Sequence, residues 1–184
     1  MLEGNLVRLR APEIGDAERG YHWINDPEVA RFLDVRYPIS MVTERQLYEE
    51  RYIRPQPDAV YFAIETKDGV HIGTVSLRRI DREDGTAEMG IVIGEKDSWD
   101  KGYGTNAVAT LLDFAFNQMN LHRVWLTIWE FNKRAIACFK KCGFKEEGVL
   151  RQHHYGDGRY WDAIMMGVLR EDFVRPQAPP LPRR

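Results

Sequence analysis

The chain has 184 residues, 43% of them hydrophobic and 29% charged, with 26 basic residues against 28 acidic ones for a net charge of −2. That length and mix suit one soluble domain with a sizeable core. The near-neutral balance argues against a dedicated nucleic-acid binder, and no apolar run is long enough to cross a membrane.

The opening, Met1 to Arg10, lacks the basic start and apolar block of a signal peptide, so a cytoplasmic protein is expected. Asn5 to Arg10 alternates apolar and polar residues, as a first strand does. Asp16 to Asn25 reads as a helix, and Asp26-Pro27 restarts the chain into a second, Glu28 to Leu33. After the break at Pro38, Thr43 to Arg54 is helical, with Thr43 as its N-cap. Three strands follow: Ala59 to Thr66, Val70 to Ile80 and Thr86 to Ile93. Their turns, Lys67-Asp68-Gly69 and Arg82-Glu83-Asp84-Gly85, predict antiparallel hairpins.

Gly104 to Met119 then has a helical stripe of Val108, Leu111, Leu112, Ala115 and Met119. Arg123 to Glu130 is a strand, and Asn132 to Lys141 a helix capped by Asn132 and ended by Gly143. Phe144 to Tyr155 and Tyr160 to Leu169 are strands around a G-D-G turn. Residues 1–174 form one domain, and the proline-rich tail 175–184 is expected to be disordered. The strand–helix–strand step around Gly102 requires a parallel pair with a right-handed crossover. The sum is a mixed, mostly antiparallel α+β sheet. Cys138 and Cys142 read as reduced thiols in a helix. The five histidines show no H-E-x-x-H spacing, so no metal is expected.

One stretch carries chemistry. Glu88 to Ala107 passes from an apolar strand through a charged loop into G-Y-G at a helix start. Gly102 to Ala107 fits the dinucleotide fingerprint G-x-G-x-x-A, with Glu130 where a ribose-binding acid would stand. That fingerprint follows its strand in a tight turn, whereas about eight residues separate strand and glycine here. A Walker loop fails because Lys101 precedes the glycine instead of following it. A third reading keeps the physics: amides near Trp99 to Thr105 converge at a helix N-terminus and favour an anion such as a pyrophosphate.

The order E-x-G-x-x-I, loop, W-x-K-G-Y-G-T-x-A, strand, N-x-x-A, helix, G-F resembles the GNAT acetyltransferases. More narrowly, with L-V-R-L-R-A-P, W-I-N-D-P-E-V and G-R-Y-W-D-A-I, it resembles their ribosomal-protein N-terminal acetyltransferase branch over roughly residues 2 to 173. The resemblance implies a GNAT fold with a splayed parallel strand pair, helices on both faces, and acetyl-CoA as co-substrate. It implies that Trp99, Asp100, Lys101, Gly102, Tyr103, Gly104 and Thr105 hold the pyrophosphate, with Asp100 standing where the branch commonly has glycine. Ile91, Val92 and Ile93, in the strand from Gly90, would bond the pantetheine arm, beside Asn132 and Phe139. Glu88 is the candidate base. Phe139 stands where the family often has an acidic tyrosine, which leaves Ser76, Tyr155 and Cys138 as substitutes. Trp23, Phe32, Tyr37 and Tyr155 would line an acceptor pocket, with Asp26, Glu28 and Asp34 attracting a cationic amine.

The activity implied is transfer of acetyl to a primary amine, either a small molecule or a peptide, by direct attack in a ternary complex. The protein would be a monomer or homodimer. A catalytically silent acyl-CoA-binding module and a nicotinamide-dependent oxidoreductase are the alternatives.

Overall fold

A computed structural model of the chain describes residues 1–173, 175 and 176, so most of the expected tail lies outside the described residues. Among the described residues eight strands form one sheet: β1 (Leu2–Glu3), β2 (Val7–Arg10), β3 (Val60–Thr66), β4 (His71–Asp81), β5 (Thr86–Ile93), β6 (Arg123–Trp129), β7 (Lys145–Gly156) and β8 (Arg159–Leu169). Their order is β1-β2-β3-β4-β5-β6-β8-β7, and every neighbouring pair is antiparallel except β5 with β6. The expected hairpin turns are present, with Gly69, Gly85 and Gly158 at positive φ (82°, 66° and 77°), a region open to glycine.

The helices are α1 (Ala17–Ile24), α2 (Pro27–Ala30), α3 (Met41–Leu47), α4 (Tyr103–Asn117) and α5 (Lys133–Lys141). They cover both faces. Adjacent side chains on a strand point to opposite faces; Phe62 meets Phe114 of α4, while Tyr61 meets Tyr52 on the other side. α4 buries Val108, Leu111, Leu112 and Ala115 against Val7, Leu9, Leu77 and Val124 of the sheet, all fully buried. Among the described residues no helix is long and apolar enough to cross a membrane.

Three details differ from the sequence reading. Ser40, not Thr43, caps α3. Ser40 is extended (ψ 156°), and its hydroxyl accepts from the Thr43 N–H at 3.1 Å, three residues on. The helix then widens into π-helical turns over Tyr48–Ile53, where Tyr48 and Tyr52 stack edge-on. Glu130 falls outside β6, and its N–H bonds the Asp162 carbonyl instead.

The sheet opens in the middle. β5 and β6 pair only through Thr86, Ala87 and Glu88 with Arg123, Val124 and Trp125. Beyond that, β5 stays bonded to β4 as far as Ile93, and β6 to β8 as far as Trp129. Their facing edges diverge and form no ladder with each other. The whole is an α+β GNAT fold: a mixed, mostly antiparallel sheet with one splayed parallel pair.

Candidate active site

The loop between β5 and α4 is built to receive an anion. Gly102 sits at φ 82° as the N-cap of α4 and offers no side chain to the helix. The first-turn amides of Tyr103, Gly104 and Thr105 precede the first intrahelical bond, from Asn106 N–H to Gly102 O. These residues line a cavity of about 350 Å³. The helix dipole adds positive potential at the same place. Trp99 anchors the loop, because its indole N–H donates to the Ile93 carbonyl at 2.7 Å. That bond takes one of the two lone pairs of the Ile93 oxygen.

Asp100 lines the cavity, but its side chain is 77% exposed and lies 4.0 Å from the Arg134 guanidinium. Arg134 in turn lies over the Trp99 ring at 3.8 Å and also lines the cavity. The cation therefore faces the carboxylate and offsets its charge beside the anion site. Lys101, expected among the residues that hold the pyrophosphate, is exposed and absent from the lining. The sequence reading missed Arg134. It stands four and seven residues before Cys138 and Lys141, which share the cavity, so helical spacing from Cys138 was the available signal.

A second cavity of about 530 Å³ lies on the β5–β6 opening. Phe32, Leu33, Ile91, Val92, Asn132 and Phe139 line both cavities, so the two adjoin at the splay. Asn132 caps α5, its side chain accepting from Ala135 N–H at 3.2 Å, and still faces the junction. Phe139 is buried and stacks edge-on against Phe144.

Glu88 enters the larger cavity at the foot of the splay, with a side chain 15% exposed. Arg78 and Arg79 approach its two oxygens at 3.4 and 3.5 Å. Across from Gly90, Ser76 lines the same cavity. Cys138 lies in the smaller one, its thiol pushed up by burial despite a contact from the Thr105 hydroxyl.

The expected acceptor residues divide. Phe32 lies at the junction. Trp23 lines neither cavity; it is 9% exposed and packs edge-on against His71 beneath Gly94. Tyr37 and Tyr155 are 80% and 51% exposed and also line neither. Asp26 and Glu28 share Lys96 at 2.8 and 3.6 Å, which offsets part of their charge, and of the three carboxylates only Asp34 reaches the larger cavity.

An elongated ligand with a pyrophosphate and an amide-bearing arm fits this arrangement: helix amides at one end, unpaired strand edges at the other. A dinucleotide does not, since its fold needs a doubly wound parallel sheet and this sheet has a single parallel pair.

Comparison with known proteins agrees. The acetyltransferase (GNAT) domain family matches residues 7–145. An uncharacterized N-acetyltransferase of Bacillus licheniformis, p20, is 29% identical over 91% of this chain and 95% of its own length. The crystal structure of spermidine N-acetyltransferase from Vibrio cholerae in complex with CoA and spermine superposes with a TM-score of 0.81. That structure is 27% identical and covers 91% of this chain and 97% of that one. The narrower likeness to ribosomal-protein acetyltransferases has only partial support. YdaF of Bacillus subtilis, provisionally named as a ribosomal N-acetyltransferase, matches over only 58% of this chain, whereas spermidine and uncharacterized N-acetyltransferases match along nearly all of it. The family match and the CoA-shaped cleft together place the chain in the GNAT acetyltransferases, as an acetyl-CoA-dependent N-acetyltransferase.

Proposed function

We propose that a primary amine held in the larger cavity attacks the acetyl thioester directly, through the splay, with Glu88 receiving the amine's proton. The observation that carries this is the shared wall of the two cavities at the β5–β6 opening. Acetyl-CoA supplies an activated acyl carbon whose C–S bond breaks as the new C–N bond forms. The α4 amides hold the pyrophosphate end, and the free edges of Gly90–Val92 align the arm. Holding both reactants in one geometry supplies much of the rate. A backbone N–H on the open edge of β5 polarises the acyl oxygen. Glu88, on the Gly90 face of the strand, takes the proton directly or through one water. A base is needed because an alkyl ammonium loses its proton only near pH ~10.

The leaving thiolate takes its proton from water. Phe139 has no hydroxyl to offer. The Cys138 thiol, raised by burial, is a weaker acid than a CoA-type thiol of pKa about 8.5. Ser76 lines the larger cavity but is weaker still as an acid.

The protein works in the cytoplasm, where both cysteines remain thiols, and acts on a small amine or a peptide N-terminus. One relative from Vibrio cholerae is described as dodecameric. Here β7 is an exposed edge strand, and pairing of two copies along it gives a homodimer. We assign residues 1–174 to a single catalytic domain.

Thermal unfolding with acetyl-CoA, CoA and NAD, followed by an assay of CoA release with an amine panel, tests the assignment. A rise of several degrees with both CoA species and none with NAD is expected, with CoA release dependent on amine. Absence of the shift at saturating CoA refutes the pyrophosphate loop, and stabilisation without turnover refutes the role given to the larger cavity.

A further inference from the structure

The larger cavity carries more cation than recognition of an amine requires. Three guanidiniums line it: Arg51 from the π-helical turns, and Arg78 and Arg79 from β4. In a regular strand Arg78 and Arg79 would point to opposite faces. The register of β4 on β5 shifts between Arg78 and Asp81, and Arg79 sits at φ 48°, a bulge that brings both side chains onto Glu88. Holding a non-glycine residue there is costly, and bulges of this kind re-aim side chains beside functional sites.

The carboxylates present do not balance this cluster. Glu88 is shared between Arg78 and Arg79. Arg51 contacts the Tyr61 hydroxyl at 3.5 Å and the Tyr52 ring, and among the described residues no carboxylate lies within ion-pair distance of it. The Arg78 Nε is buried with no hydrogen-bond partner. Its guanidinium lies 3.4 Å from where a side chain on Gly90 would begin, directly beside the splay. The same three arginines form a wall of a further cavity of about 440 Å³, whose own carboxylates, Glu50 and Asp58, do not line the inner one. Asp34 is the remaining inner carboxylate.

Guanidiniums bind carboxylate and phosphate oxygens through paired N–H donors. A polyamine would instead set its distal ammoniums beside them, and such like-charge contacts weigh against a partner. We infer that the acceptor is a primary amine carrying an oxyanion, held by Arg51, Arg78 and Arg79 while the amine faces the splay. This rests on the acetyl-transfer reading above and names its substrate class.

The test measures kcat/KM, by CoA release, for matched pairs: alanyl-glycine against alanyl-glycinamide, and phosphoethanolamine against ethanolamine, with spermidine alongside. At least one charged member should exceed both its neutral partner and spermidine by tenfold or more, and the pair that responds identifies carboxylate or phosphate. Arg51→Met, which leaves the Glu88 pairs in place, should bring that ratio close to one while the acetyl-CoA thermal shift persists. Spermidine as the best acceptor, or ratios near one in the native protein, overturns the inference and leaves the acetyltransferase standing. Absence of both turnover and CoA stabilisation overturns the two together.

Discussion

Glu88 is the residue on which the chemistry turns, and its surroundings shape what its removal does. Glu88→Gln keeps the shape but cannot accept a proton. Loss of a positioned base costs typically ~10²–10⁴-fold, so kcat should fall by about that factor while KM for acetyl-CoA stays unchanged. The deficit should narrow as pH rises toward the amine pKa of about 10, where the base is no longer needed. A purely structural role, in which Gln merely unbalances Arg78 and Arg79, predicts a deficit that does not change with pH. Legibility at this scale was uneven. Glu88 was readable because it shares a strand with the glycine of the splay. Arg51 and the Arg78–Arg79 pair were not, because a bulge and a π-helical turn bring them together, and neither leaves a periodic trace in sequence.

At the scale of elements, the loop from Gly94 to Gly102 matters most. It rests on Trp23 of α1: a side chain added at Gly94 would begin 2.1 Å from the indole ring. Gly94→Ala must therefore push α1 or the loop aside. Overpacking of this kind costs about 1–3 kcal/mol, so the melting temperature should fall by several degrees. The acetyl-CoA-induced shift should shrink as well, since the displaced loop carries the amides of the anion site; a melting curve and ligand shift matching the parent protein would refute the arrangement. The hairpins and both α4 and α5 were legible because Asp-Gly turns, Asn132 and Gly143 state their ends chemically. The two-residue strand β1 was not, being too short to show alternation. Nor was the cap of α3, since Ser40 and Thr43 are both good capping residues and only the backbone decides between them.

Across the whole molecule, an ion cluster ties β2, β3 and β4 to the start of α1. Arg10 grips Asp16 through two bonds of 2.8 Å and reaches Glu65 at 2.7 Å. Burial pushes Asp16 up, but Arg10 and the Glu13 N–H together hold it below its ordinary value. His71 donates from Nε2 to the Gly73 carbonyl at 2.9 Å, and burial lowers it although Asp16 pulls the other way. Both folded values lie below the unfolded ones, so the unfolded chain binds more protons as pH falls. The contribution of His71 is complete above about pH 6.5 and drains below it; that of Asp16 is complete above about pH 4 and drains below that. Melting temperature should therefore fall in two stages on acidification, the slope reaching at most ~1.4 kcal/mol per pH unit for each group. His71→Gln should remove the upper stage, and a profile flat from pH 7 to 5 would contradict this account.

The three residue pairs joining β5 to β6 have a further consequence. They are the whole hydrogen-bonded seam between a five-stranded half-sheet and a three-stranded one. Folding leaves the rest of that seam unsewn and forgoes its ladder. A ligand lying along the gap completes the ladder with its own amides, so part of what counts as affinity is cohesion that the fold withheld from itself. Tight binding and a firmly closed sheet are here the same free energy, drawn either by the empty protein or by its complex, and this chain reserves it for the complex.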